Sequence, residues 1–231
     1  MDPTLLARLR GIDTPTVCNA IEVAQGRRGF DGFTRGTLIA TEPDAPPMVG
    51  FARTAAIRAV VPSDEPPEVI RQRRADYHRA VAADPRPSVV VIQDLDGPDR
   101  VGAWWGEVNA AIHKGLGLAG ALTDGLVRDL GDLPTGFPIL AGGIGVSHGF
   151  VRVETIGDPV RVFGLDVRDG DLIHADRHGA VVIPPNLLGS LQAAIEKLQG
   201  SERLVLDPAS RDDFDLDSLL DAWAAFEKAR T

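Results

Sequence analysis

The chain has 231 residues, a formal net charge of −9, 44% apolar residues, 25% charged residues and 25 glycines, so it can bury a full core and reads as an ordinary soluble globular protein. The acidic balance argues against nucleic acid and anionic membranes as partners, because both are held by clustered Lys and Arg facing phosphate. One cysteine, Cys18, can make neither an internal disulfide nor a thiolate metal cluster, and no apolar run approaches the roughly 20 residues of a membrane span. The amino end lacks the basic cluster and apolar run of a secretory signal, which sets the expectation of a cytoplasmic protein.

Residues 3–10 predict a short helix and 14–26 a second, with Thr14 as N-cap, Pro15 at the first helical position and Gly26 as the stop. After a Gly- and Arg-rich loop over 27–36, TLIAT (37–41) and FARTAAIRAVV (51–61) read as strands joined through a proline-rich turn. Residues 62–83 predict an amphipathic helix, 88–95 a fully apolar strand, 107–114 a helix ended by Gly115, and 118–124 a buried strand. Short strands follow at 138–141, 150–155, 159–165, 171–176 and 180–184, then a helix over 185–200, an Asp-rich link and a last helical stretch. So dense a series of short β elements implies an α/β protein with a β-sandwich-like or compact-barrel core flanked by helices.

Three motifs carry less chemistry than they first suggest. GLGLAG (115–120) matches a dinucleotide-binding string, but it follows a helix and precedes a strand, the reverse of what pyrophosphate at a helix N-terminus requires. Gly115 reads instead as a helix stop, with Gly117 and Gly120 allowing close packing of the next strand. HADRH (174–178) reads as a hairpin turn in preference to a metal site, and Ser147-His148 has no nucleophile elbow around it. Trp104 and Trp105 read as core or interface anchors able to wall a pocket, and His78, His113 and His148 are isolated.

The stretch GEVNAAIHKGLGLAGALTDGLVRDLGD (106–132) differs, because it sets Glu107, Arg128, Asp129 and Asp132 around one helix-strand-turn unit. A carboxylate beside a permanently charged guanidinium suits a hard divalent cation together with an anionic substrate. On charge pattern alone, the same residues also read as a surface ion pair with solvated helix-end acids.

The element E-x20-R-D-x2-D formed by Glu107, Arg128, Asp129 and Asp132 resembles the signature of the RraA-like superfamily, which includes class II 4-hydroxy-4-methyl-2-oxoglutarate and 4-carboxy-4-hydroxy-2-oxoadipate aldolases. TPTVCNAI (14–21), VGFARTAAI (49–57) and VRDGDLIHADRHGAVVIP (167–184) are similar to further family elements, and the likeness runs over most of residues 12–205. The resemblance implies a β-sandwich-like central core flanked by helices over residues 1–206, with a C-terminal helical extension over 207–231. It also implies self-assembly into homotrimers or hexamers with active sites between subunits.

For the site, the resemblance implies that Asp129 binds Mg or Mn directly, while Glu107 and an acid of the neighbouring subunit, Glu202 or else Glu196, act through water. Arg128 would contact substrate and stabilise an enolate, Asp132 would orient Arg128 or its loop, and backbone N–H groups after Gly106, from Val108 and Asn109, would hold a substrate carboxylate. The implied activity is cleavage of a 4-hydroxy-2-oxo acid to pyruvate and a second oxo acid, with oxaloacetate decarboxylation through the same enolate. Other members of the superfamily are non-catalytic regulators of ribonuclease activity or act on sugar-derived 2-oxo acids. This chain departs from the common pattern at Asn19, at Glu107 in place of aspartate, and at AGG (141–143), which lacks an arginine.

Overall fold

The computed structural model describes residues 2–230 and contains six α-helices and a mixed sheet curled into a half-barrel. The expected α/β core flanked by helices, with a helix at the carboxyl end, is found. The sheet runs in the order β1 (Ile39–Ala40), β7 (Ile139–Ala141), β5 (Ala121–Thr123), β3 (Ser88–Asp94), β2 (Met48–Arg58), β12 (Leu172–Asp176) and β13 (Gly179–Ile183), while β9 (Arg152–Ile156) also pairs with β2. The neighbours β7, β5, β3 and β2 are mutually parallel, which requires crossovers, and the rest of the sheet is antiparallel.

β2 is the hub. Its first half pairs with β12 and its second half with β9 along the same edge, with a bulge between Ala56 and Ile57. Between the halves, Asp169 accepts the Thr54 N–H (3.1 Å) and the Arg53 guanidinium (3.2 Å), so the edge changes partner without stranding backbone groups. Both faces of the sheet are covered, which explains the uninterrupted apolar run of β3. Val90 and Ile92 point into a cluster with Tyr77, Trp104, Trp105 and Phe137, under α3 (Pro67–Ala82) and α4 (Glu107–Gly115). Val89 and Val91 point the other way, into a cluster closed by the hairpin β10 (Val160–Val162) and β11 (Leu165–Val167). A third cluster joins β12 and β13 to α1 (Pro3–Arg10), α2 (Thr14–Gln25) and α5 (Leu188–Ala209), and α6 (Leu216–Arg230) packs on α5.

Several boundaries differ from the sequence expectation for local reasons. Asp13, not Thr14, caps α2 by accepting the Thr16 N–H at 2.9 Å; Thr14 is already helical and turns its hydroxyl to His174 Nδ1. α3 starts at Pro67, leaving 62–66 outside the helix. The segment expected as one strand over 159–165 is broken by Phe163 and Gly164, both with positive φ, into the β10–β11 hairpin. α5 does not stop at Gly200 but continues to Ala209, so residue 206 lies within it.

The HADRH segment is the expected turn. Asp176 accepts the His178 N–H, and His174 is buried with Nε2 donating to the Leu9 carbonyl at 2.9 Å, which leaves Nδ1 to accept from Thr14. Among the described residues no helix is long and apolar enough to cross a membrane.

The glycines after α4 act as expected of them, with one shift of role. Gly117, at φ +79°, and not Gly115, takes the left-handed position beyond the helix end. Gly120, at φ +148°, lies where a Cβ would collide with Met48 Sδ and sit 2.5 Å from the Pro138 carbonyl oxygen. Gly120→Ala is therefore expected to cost about 2–4 kcal/mol, combining overpacking with backbone strain. Urea unfolding of the variant measures it, and an unchanged midpoint would show that β5 can shift to make room.

Candidate functional site

The site is built by a second, smaller sheet that the sequence does not announce. β4 (Ala103–Trp105), β6 (Leu126–Val127) and β8 (Gly143–Ile144) form a three-stranded parallel ribbon. The Arg128 N–H donates to the Trp105 carbonyl at 2.8 Å, so the carboxyl ends of β4 and β6 lie side by side. Gly106 follows one end and Arg128-Asp129 the other. The helix expected at 107 opens where foreseen, but Arg128 does not follow the strand that α4 feeds: β5 ends at Thr123, and the chain turns through Asp124-Gly125 into β6. The hydrogen bond of the Gly125 N–H to Thr123 Oγ1 (2.9 Å) stabilises that turn.

Gly106 contributes no capping side chain to α4. Asp129 serves instead: its Oδ2 accepts the Glu107 N–H at 3.2 Å, and its Oδ1 lies 3.6 Å from Arg128 Nη1. A carboxylate at a helix N-terminus is favoured by the macrodipole. Asp129 holds a left-handed φ of +57°, which a short polar residue tolerates, and the Asp132 N–H closes the turn onto the Asp129 carbonyl at 2.9 Å. A Cβ on Gly106 would stand 2.5 Å from Asp129 Oδ2 and 3.1 Å from both Cγ and Nε of Arg128, so the absence of a side chain there lets the three groups meet. The carboxylates of Glu107 and Asp132 are exposed.

A cleft of about 470 Å³ opens beside this junction. Gly106, Val108, Asn109 and Arg128 line it, as do Trp104 and Arg74. Arg128 Nε is buried against Gly106 without a hydrogen-bond partner. The structure thus brings together Gly106, Glu107, Val108, Asn109, Arg128, Asp129 and Asp132. Glu196 and Glu202 lie elsewhere, on α5, which packs on α2 and α6.

Among the described residues no three His, Cys, Asp or Glu side chains cluster into a metal cage. A hydrated divalent ion needs fewer: Mg²⁺ is commonly held by one or two carboxylates, with water and substrate filling its octahedron. Asp129 fits that demand, with a side chain 31% exposed and its oxygens only partly engaged.

The two tryptophans take the wall and core-anchor places expected of them, and residues that the sequence leaves without a role also shape the site. Trp104 walls the cleft, and Trp105, the last residue of β4, is fully buried. His113 is buried, with Nδ1 donating to the Asn109 carbonyl at 2.6 Å and Nε2 accepting from the Tyr77 hydroxyl at 2.7 Å. The spacing of Ala110 and His113 on one face of α4 is the signal that places this ring inside. His148 and Arg152 line the cleft from loop and strand positions that no helical or strand periodicity singles out. Where the resemblance prompts a search for an arginine after β7, Gly142 stands, and Arg100 Nη1 comes within 2.8 Å of the place a Cβ would take.

The fold and site define a mixed α/β protein with a carboxylate–guanidinium pair whose arginine lines a cleft. The model of the RraA-like family, described as Aldolase/RraA, matches residues 14–182, and the chain belongs to that family. The family holds both aldolases and non-catalytic regulators. A Halalkalibacterium halodurans protein provisionally named 4-hydroxy-4-methyl-2-oxoglutarate aldolase is 33% identical over 100 residues, 42% of this chain and 47% of that one. Protein DlpA of Legionella pneumophila is 30% identical over 107 residues, 45% of this chain and 17% of its own length. The matched region thus spans less than half of either relative. Among solved structures, an uncharacterized protein of Pseudomonas syringae pv. tomato superposes with a TM-score of 0.70 at 21% identity, covering 100% of this chain and 94% of that one. RraAS2 of Streptomyces coelicolor, described as an unusual member of the RNase ES inhibitor RraA family, gives 0.65 at 22% identity, covering 91% and 98%. These two likenesses concern the fold.

Burial lowers the His113 pKa from its usual value near 6.5 to about 4, the hydrogen bond to Asn109 opposing the shift only in part. The folded state therefore binds fewer protons than the unfolded state between those values. The stability this neutral ring contributes is complete above about pH 6.5 and lost as pH falls toward 4. His174, lowered by burial too, acts in the same sense, while Asp94 and Asp124, raised by burial, act oppositely. His113→Gln is expected to be less stable at pH 7 yet to lose less stability between pH 7 and 4.5. Urea midpoints at the two pH values test this, and equal losses in both proteins would contradict it.

Proposed function

We propose that this protein is a divalent-cation-dependent carbon–carbon lyase that cleaves a 4-hydroxy-2-oxo acid to pyruvate and a second oxo acid, and that also decarboxylates oxaloacetate. The observation that carries the reading is the junction at Gly106, where Arg128, Asp129 and the start of α4 meet, with Gly106, Val108, Asn109 and Arg128 lining one cleft. Family membership and the provisional aldolase name of the Halalkalibacterium relative support it.

Asp129 would hold Mg or Mn, with Glu107, and Glu202 or Glu196 of a neighbouring copy in a trimer or hexamer, reaching it through water. When bound, the cation would supply Lewis-acid polarisation of the 2-oxo acid. The N–H groups of Val108 and Asn109, in the first turn of α4, suit the substrate carboxylate. Arg128, with its unpartnered Nε, opposes the negative charge that develops on the three-carbon fragment as the C3–C4 bond breaks. Glu107, whose backbone N–H bonds Asp129 and whose carboxylate is exposed, would take the proton of the 4-hydroxyl by way of solvent and return it to the fragment. Asp132 acts through its backbone, fixing the turn that presents Asp129.

The test is pyruvate release from oxaloacetate and 4-hydroxy-2-oxo diacids, with Mg or Mn and with EDTA. Arg128→Ala and Asp129→Ala are each expected to lower turnover by about 10²- to 10³-fold or more, and EDTA to abolish it. Gly106→Ala is expected to lower turnover by about 10²-fold through displacement of Asp129 and Arg128 while the protein stays folded. Full activity in EDTA or in Asp129→Ala would refute the lyase. Absence of metal-dependent pyruvate with every substrate would favour a non-catalytic regulator.

A further inference from the structure

The chain carries 33 acidic and 24 basic residues, yet Arg74, Arg128 and Arg152 line its cleft and no Asp or Glu does. The three arginines are not equivalent. Arg152 is committed: it donates to the Val61 carbonyl at 2.6 Å and pairs with Glu154 at 2.8 Å. Arg128 belongs to the Gly106 junction. Arg74 is exposed and, among the described residues, has neither an ion-pair nor a hydrogen-bond partner; its guanidinium carbon lies 6.0 Å from the centre of the Trp104 ring in the cleft wall.

Its backbone is firmly placed. One turn along α3, Tyr77 is fully buried and packs edge-on against Trp104, with ring centres 5.4 Å apart at 89°. On the preceding residue, Arg73 bonds Glu65 at 2.8 Å and the Val153 carbonyl at 3.2 Å. A held helix thus presents a charge without a protein counter-ion to the same space that Arg128 enters. The rest of the lining is mostly apolar, with Ile70, Trp104 and Phe150 outweighing the polar Asn109 and His148. A cleft of this kind suits a ligand with an anion at each end and little polarity between.

We propose that Arg74 is the specificity-determining residue of this cleft, receiving a second anionic group, carboxylate or phosphate in type, on the part of the ligand remote from Arg128. The assignment rests on the proposed function in taking the 2-oxo acid end of the ligand to lie at Arg128. It goes beyond that reading in naming the residue that separates dianionic from monoanionic 2-oxo acids. Because Arg74 is exposed and unpaired, its replacement leaves the core and the Gly106 junction intact.

The experiment is calorimetric titration of the wild type, Arg74→Gln and Arg74→Lys, in the presence of Mg, with three probes of one chain length. These are 2-oxoglutarate, its 5-amide, which keeps the C1 carboxylate but is neutral at the far end, and the analogue ending in a phosphonate. The wild type is expected to bind the charged probes about 10-fold more tightly than the amide, the scale of one charge-assisted hydrogen bond in a part-exposed site. In Arg74→Gln the ratio is expected to fall to about 1 with amide affinity unchanged, and Arg74→Lys to keep part of the preference. The stronger of carboxylate and phosphonate identifies the group the cleft takes. An undiminished ratio in Arg74→Gln overturns the assignment. A wild type that binds no probe overturns both the assignment and the lyase reading. If the ratio collapses as expected but no 4-hydroxy-2-oxo acid yields pyruvate, the specificity role stands and the lyase reading falls.

Discussion

One missing side chain holds the site together. β4 and β6 run parallel and end in register, so the residues after them must share the same few ångströms, and only glycine at 106 leaves room for a carboxylate and a guanidinium there. The consequence is electrostatic as well as steric. With no side chain to cap α4 from within, the helix takes its cap from Asp129, and the left-handed backbone of Asp129, costing on the order of 1 kcal/mol, is offset by that bond and by the field of the helix end. Any group that competes for the Asp129 oxygens therefore also acts on the start of α4, whose amides line the cleft.

The charge distribution has to be read locally. A chain at −9 repels anions at long range, but at physiological ionic strength that repulsion fades over about 8 Å, and inside a concave site the nearest charges decide. The arginine lining and the amino end of α4 make a locally positive hollow in an acidic protein. Such an arrangement favours a small anion able to enter the hollow over an extended polyanion lying across the surface.

Much of this was legible in the chain. Pro15 and Gly26 bracket α2, the apolar run at 88–94 marks a strand buried on both faces, and D-R-H between two apolar runs marks the β12–β13 turn. The pattern of Glu107, Arg128 and Asp129 marks residues that do meet. What was not legible is how they meet. β6 and β8 are two residues each, too short for alternation to show, and they exist because β4 offers them an edge. The PVRVFGL run conceals a hairpin because Phe163 adopts a positive φ that its side chain gives no reason to expect. Arg74 sits on a helix so rich in charge that one arginine cannot be told from its neighbours until Tyr77 fixes which face is inward.

The buried polar chain from Tyr77 to Asn109 ties these parts into one device. The Asn109 carbonyl can only accept, so His113 carries its proton on Nδ1, and Nε2 is left to accept from the Tyr77 hydroxyl. Asn109 in turn donates its side-chain N–H to the Trp104 carbonyl at 2.7 Å. α3, α4 and β4 are thereby linked through groups whose hydrogen-bonding roles are set by the neutral ring, and a protonated imidazole at position 113 would reverse the bond at Tyr77, whose hydroxyl would then accept instead of donate. The same three elements supply the unpaired arginine, the helix amides and the tryptophan wall. The walls of the cleft are thus joined from behind through a buried histidine that does not line it.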